Sequence, residues 1–185
     1  MINDNTVVTV RNMTDQGITY IVPELNVRRR FSAFESKKVN AKELRQLWYL
    51  NGGARLLQDY LAVENQELAQ EFGVSEDVFT HEYSWTQEDI DDALQNGSIE
   101  LLEDVFDFAP LGICETIVSE AIRLKIPDRN KHNLIHDVTG RDISKMIQYK
   151  EELEKLNQDD NTTQRKTRRV GGNNSTRPTS GRRVS

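Results

Sequence analysis

The first forty residues carry apolar side chains at a period near two. They fall in short runs of β-branched and aromatic types: Thr6–Arg11, Ile18–Val22 and Val27–Phe31. Turn-forming residues separate them at Asn12–Gly17 and Pro23–Asn26, so each run predicts a strand. Lys37–Val39 predicts a further short edge strand, whose lysines discourage pairing with foreign strands. Four strands make a small antiparallel sheet that needs a helical cover on one face.

From Asn40 onward the period lengthens to that of helices. Asn40 with Glu43 has the spacing of a capping box, and Leu44, Leu47 and Trp48 form a stripe that Asn51-Gly52-Gly53 ends. Ala54–Tyr60 reads as helical, Leu61–Val63 as helix or strand, and Asn65–Phe72 as a short helix closed by Gly73. Val74–Trp85 is irregular and offers Phe79, Tyr83 and Trp85 for packing or binding. Thr86 and Asp89 repeat the capping spacing ahead of Ile90, Ala93 and Leu94, and Ser98 caps a helix to about Asp107.

Pro110 suits the first turn of the most apolar helix, which Pro127 terminates; Asp128 caps Arg129–Thr139. Asp142 caps a last helix to roughly Leu156, whose apolar face is expected to fade after Tyr149. In all the pattern predicts about six helices and shows no internal repeat. The expected class is α+β and mainly helical. A β segment (1–40) packs with a helical domain (41–157) as one body, and a basic arm of disordered type follows (158–185).

Charge sharpens that division. The 185 residues carry a net charge of −6. Seven basic residues and no acidic one follow Asp160: Arg165, Lys166, Arg168, Arg169, Arg177, Arg182 and Arg183. The preceding body has 17 basic against 30 acidic side chains, a net of −13 beside a tail of +7. Polyanion contact by the body is therefore disfavoured and falls to the tail. Val170 and Val184 are the tail's only apolar side chains, so alone it cannot offset the entropy of ordering and is expected to order on a partner.

The lone Cys114 fits a reducing compartment. The opening MINDNTVVTV lacks the basic and apolar regions of a signal peptide, and no window has the length of a membrane span.

Candidate chemistry is sparse. His132 and His136, four apart on a helix, could face one metal, but Asn-Leu-Ile between them lacks the glutamate of a metalloprotease motif. Paired histidines of this kind are commonly inert. The acidic runs Glu88–Asp92 and Glu100–Asp107 lie in helix N-terminal turns, where the dipole favours them without catalysis. Arg28-Arg29-Arg30 on a strand must alternate faces, so at least one sits on the packed side or pairs with a carboxylate. The run reads first as a salt-bridged strand in a protein rich in carboxylates, and alternatively as a contact site for phosphate or an acidic partner surface. Arg129–Leu156 has the outline of a helix-turn-helix that would present Arg141, Ser144, Lys145 and Gln148, although Glu151, Glu152 and Glu154 would repel phosphates. No cofactor is expected.

Four segments together carry a resemblance: VTVRNMTDQGITYIVPELNVRRRF, KKVNAKELRQLWYLNGGARLLQDYL, DFAPLGICETIVSEAI and IPDRNKHNLIHDVTGRDISKMI. Over about residues 6–150 they resemble an uncharacterised family of virion structural proteins of tailed, double-stranded DNA bacteriophages. The resemblance implies a multi-copy, non-enzymatic component. Its partners would be capsid, portal or connector subunits and packaged DNA, with no membrane, in the virion and in the host cytoplasm during assembly. Arg28, Arg29, Arg30 and the seven basic tail residues are then the expected contacts. The alternative is a small nucleic-acid-binding regulator using the 129–156 hairpin and the tail.

Overall fold

The computed structural model describes residues 2–73, 83 and 85–170, the side chains of 158–170 excepted. Five strands appear: β1 Val7–Asn12, β2 Ile18–Val22, β3 Val27–Phe31, β4 Ser36–Asn40 and β5 Leu61–Val63. They form two antiparallel sheets among the described residues, where the pattern led us to expect one. The order β4-β1-β5 makes the first, and β2-β3 is a separate hairpin. The undecided Leu61–Val63 is a strand because the core side of β1 has room for it. Leu61 and Val63 pair opposite Asn12 and Val10 and are themselves buried. The hairpin turn at Pro23–Leu25 closes through Asn26 in the left-handed conformation (φ 50°), which asparagine tolerates.

Eight helices follow among the described residues, against an expected six or so: α1 Ala41–Tyr49, α2 Gly53–Asp59, α3 Gln66–Glu71, α4 Gln87–Gln95, α5 Ile99–Phe108, α6 Leu111–Leu124, α7 Arg129–Thr139 and α8 Ile143–Val170. The caps at Thr86, Ser98 and Asp128 form as the spacing required; Thr86 and Asp89 make the full reciprocal box.

The box at Asn40 does not form, because Glu43 turns inward instead. Its carboxylate accepts from the Tyr20 hydroxyl at 2.7 Å and from Arg29 Nε and Nη2 at 3.0 and 2.6 Å. Three charge-assisted bonds in a half-buried setting outweigh one exposed cap.

Chain contacts cluster into two units, 1–144 and 145–185. In the first unit, one apolar core joins the inward faces of β1, β4 and β5 to Tyr20, Val22 and Phe31 of the hairpin, and to Leu44, Leu47, Leu57, Leu68 and Phe72 of the first three helices. A helical layer packs α4 on α6 and α5 on α7, burying Ile90, Leu94, Leu102, Ile113, Ile117 and Ile135.

Lys131 of α7 is 3% exposed. Its ammonium donates to the carbonyls of Ala93 and Leu94 at 3.1 and 2.7 Å. A cation from one helix therefore satisfies carbonyls at the C-terminus of another. In the second unit, α8 is a helix continuous to Val170, past the Leu156 where it was expected to end.

Candidate functional site

The three strand arginines divide by face, as period-two alternation demands. Arg29 stands opposite Tyr20 in the hairpin register and points to the core side, where it is held by Glu43. This pair is structural. The bond to Glu43 keeps the Arg29 guanidinium firmly charged, and burial together with the adjacent carboxylate pushes the Tyr20 phenol up. Arg28 and Arg30 are exposed on the outer face, opposite the exposed Ile21 and Thr19. Lys37 of the neighbouring β4 lies 5.6 Å from the Phe31 ring centroid and pairs with Glu35 at 3.1 Å. The hairpin thus shows solvent a basic face with one apolar residue, Ile21, which is 55% exposed.

Arg165, Lys166, Arg168 and Arg169 lie on the last turns of α8. Arg177, Arg182 and Arg183 lie outside the described residues, as does Phe79. Tyr83 and Trp85 are structural. The Tyr83 hydroxyl donates to Asp104 at 2.8 Å, and the Trp85 carbonyl accepts from Arg11 at 2.9 Å.

A surface that the sequence reading passed over is on α8. Met146, Tyr149, Leu153 and Leu156 are spaced three, four and three apart, the seam of a coiled coil. They are 39%, 64%, 42% and 63% exposed, so the stripe is open to solvent. We expected the apolar face to end at Tyr149 because glutamates crowd the following turn. Those glutamates, Glu151, Glu152 and Glu154, occupy the other positions of the heptad and leave the seam intact.

A second open surface is a groove of about 290 Å³ between α5, α6 and α7. Phe106, Leu111, Cys114, Val118 and Val138 give it apolar walls, and Glu115 and Arg141 are its charged lining. Leu111 and Val138 are 36% and 50% exposed. Glu115 and Arg141 also line a neighbouring cleft of about 450 Å³ with Thr14, Gln16 and Tyr60. Burial, and then the Glu115 carboxylate, raise the Tyr60 phenol above its ordinary value. Burial pushes the Cys114 thiol up to about 11, so at neutral pH it is protonated and a poor nucleophile.

Charge is unevenly distributed along the chain. Between residues 56 and 122 there are 17 acidic side chains and no lysine or arginine. This stretch accounts for the acidity of the body, while residues 1–55 carry nine basic and five acidic side chains.

Two of the remaining candidates, His132 and Ser144, have structural employment. Both ring nitrogens of His132 are engaged, Nδ1 with the Ser144 hydroxyl at 2.9 Å and Nε2 with the Ile126 carbonyl at 2.7 Å. A carbonyl only accepts, so Nε2 carries the proton. Ser144, expected on the reading helix of a helix-turn-helix, is thereby committed to His132. Among the described residues no group of three or more His, Cys, Asp or Glu side chains could hold a metal. No described helix is long and apolar enough to cross a membrane.

Compared with known proteins, the chain matches no family model, no curated protein and no solved structure.

Proposed function

We propose that this chain is a non-enzymatic structural protein of a tailed-phage virion. It belongs with the head or the head–tail connector and binds neighbouring subunits through its body and its basic C-terminal region. The observation that carries the binding role is the open apolar seam of α8, four large side chains in coiled-coil spacing on a helix that leads into the basic tail. Solvent-exposed seams of this kind mark association surfaces, because covering them removes apolar area from water at about 25 cal/mol per Å². The resemblance of residues 6–150 to virion components supplies the setting. The basic outer face of β2–β3, with Arg28 and Arg30, is a second contact for an acidic neighbour.

The test is incorporation into particles. Full-length chain co-purifies with intact particles in a fixed copy number, and the double variant Leu153→Glu, Leu156→Glu is left out while remaining folded by circular dichroism. Normal incorporation of that variant would remove α8 from the proposal. Absence of the parent chain from purified particles would overturn the virion assignment.

A further inference from the structure

We infer that the carboxyl groups of Asp91 on α4 and Glu120 on α6 share one proton, which makes the contact between these two helices sensitive to pH. The inference stands apart from the assembly role and rests on different residues.

Helix periodicity brings the two acids together. α4 packs on α6, and Glu120 lies on the α6 face that also buries Thr116, Ile117 and Ala121. Asp91 follows the buried Ile90 on α4 and comes within hydrogen-bond reach of Glu120. Arg123, three residues after Glu120, forks between them. Its Nε donates to Glu120 Oε2 and its Nη2 to Asp91 Oδ2, the latter at 2.5 Å. The Glu120 side chain is only 4% exposed.

Two features of this cluster point to a proton. The first is charge. With both acids ionised, one guanidinium faces two carboxylates, and an excess negative charge is left where Glu120 has almost no water. Like charges in such contact disfavour joint ionisation, and one proton makes the cluster neutral. Two further cations meet α4, and both are engaged elsewhere. Lys131 of α7 is turned to the Ala93 and Leu94 carbonyls, and Arg11 of β1 donates to the Trp85 carbonyl and lies beside Glu64 and Asp89.

The second feature is an orphaned atom. Asp91 Oδ1 is buried and has no hydrogen-bond partner among the described residues. Two carboxylates offer each other only acceptors, whereas a carboxyl O–H is a donor. Arg123 occupies Glu120 Oε2, so the proton sits on Oε1 and supplies the donor that Asp91 Oδ1 lacks. Burial raises the Glu120 carboxyl above its ordinary value, and Asp91 adds to that rise against the opposing Arg123.

NMR of the full-length chain, following the side-chain carboxyl carbons through a pH titration, tests this. In the parent, Glu120 should release its proton above the ordinary glutamate value near 4.5, and the Asp91 carbon should respond over the same range. Asp91→Asn removes the neighbouring charge and adds an amide donor, so the proton affinity of Glu120 should fall at least tenfold. Burial alone would leave that affinity unchanged. Glu120→Gln keeps a donor for Asp91 Oδ1 at every pH and should be more stable than the parent at neutral pH. In the Asp91→Asn background that gain should disappear, because the shared proton is already lost.

Circular dichroism confirms folding of each variant, and the parent titration decides the matter even where a variant fails to fold. A Glu120 carboxyl that titrates in the ordinary range, or an Asp91 carbon that ignores the Glu120 titration, overturns the inference. So does an unchanged Glu120 proton affinity in folded Asp91→Asn.

Discussion

At the scale of single residues, the stability of the body rests on a few side chains whose roles are set by what they touch. Asn12 is fully buried and satisfied on every side. Its amide donates to the carbonyls of Gln16 and Ser32 at 2.7 and 2.8 Å, and its oxygen accepts from the backbone and hydroxyl of Thr14 at 3.0 and 2.9 Å. Asn12→Ala strips a partner from the buried amide and hydroxyl of Thr14 and from the carbonyls of Gln16 and Ser32, and chemical denaturation should register a loss of about 2–3 kcal/mol. Gly53 is required by space: a Cβ there would lie 1.7 Å from the Leu47 carbonyl oxygen, a backbone atom that cannot rotate away. Gly53→Ala is expected to destabilise by about 1–3 kcal/mol or to prevent folding outright, which a melting curve decides. Both residues looked like mere turn-formers in the sequence. Their actual work depends on partners 20 residues away for Asn12 and on a close helix approach for Gly53, neither of which local pattern encodes.

Glu120 makes the stability depend on pH. It is buried on α6 beside Asp91 and Arg123, and burial holds its carboxyl above the ordinary carboxylate value. Arg123 opposes that shift and Asp91 adds to it. The folded chain therefore keeps a proton that the unfolded chain releases. The contribution is fully present below the unfolded value near 4.5 and is lost as pH rises through the raised folded value. Denaturation midpoints should decline from about pH 4.5 toward neutrality, and Glu120→Gln should flatten that decline. An unchanged slope in the variant would assign the pH dependence elsewhere.

At the scale of elements, much was legible. The strand runs, the caps at Thr86, Ser98 and Asp128, and the buried stripes of α1, α4 and α6 follow from periodicity and cap chemistry alone. What escaped are choices made by tertiary context. Leu61–Val63 is three residues long, too short for a period, and becomes a strand because β1 offers an edge. Glu43 leaves its capping position for Tyr20 and Arg29, which lie 23 and 14 residues earlier.

The strand run requires at least one arginine on the packed side or against a carboxylate, and Arg29 meets it at Glu43; the sequence does not say which of the three turns inward. The α8 seam was readable in principle from the spacing of Met146, Tyr149, Leu153 and Leu156, and was hidden by the acidic residues between them. Lys131 had no sequence signal, since its carbonyl partners lie 37 and 38 residues away on another helix. Lys131→Ala removes the ammonium from both carbonyls, of which that of Ala93 keeps the Gly97 amide; a stability loss of about 1–3 kcal/mol is expected, recovered in part by Lys131→Arg.

At the scale of the whole molecule, the organising feature is segregated charge joined to open apolar surface. The hairpin is basic, the stretch from residue 56 to residue 122 contains no lysine or arginine, and the last 25 residues are basic again. Among the described residues Arg28, Arg30, the α8 seam and the walls of the α5–α7 groove are exposed. Such an arrangement suits a multi-copy assembly subunit, where many modest contacts act together. Association should weaken as salt rises for the charged contacts and persist for the apolar seam.

The most direct measurement is quantitative mass spectrometry of purified intact particles, with parent chain compared against a chain ending at Ser144. An assembly role predicts a fixed, multi-copy stoichiometry for the parent and its loss from particles on truncation, with the truncated body still folded in solution. A parent chain found only in the soluble fraction would contradict the role proposed here, as would a truncated chain retained at full stoichiometry.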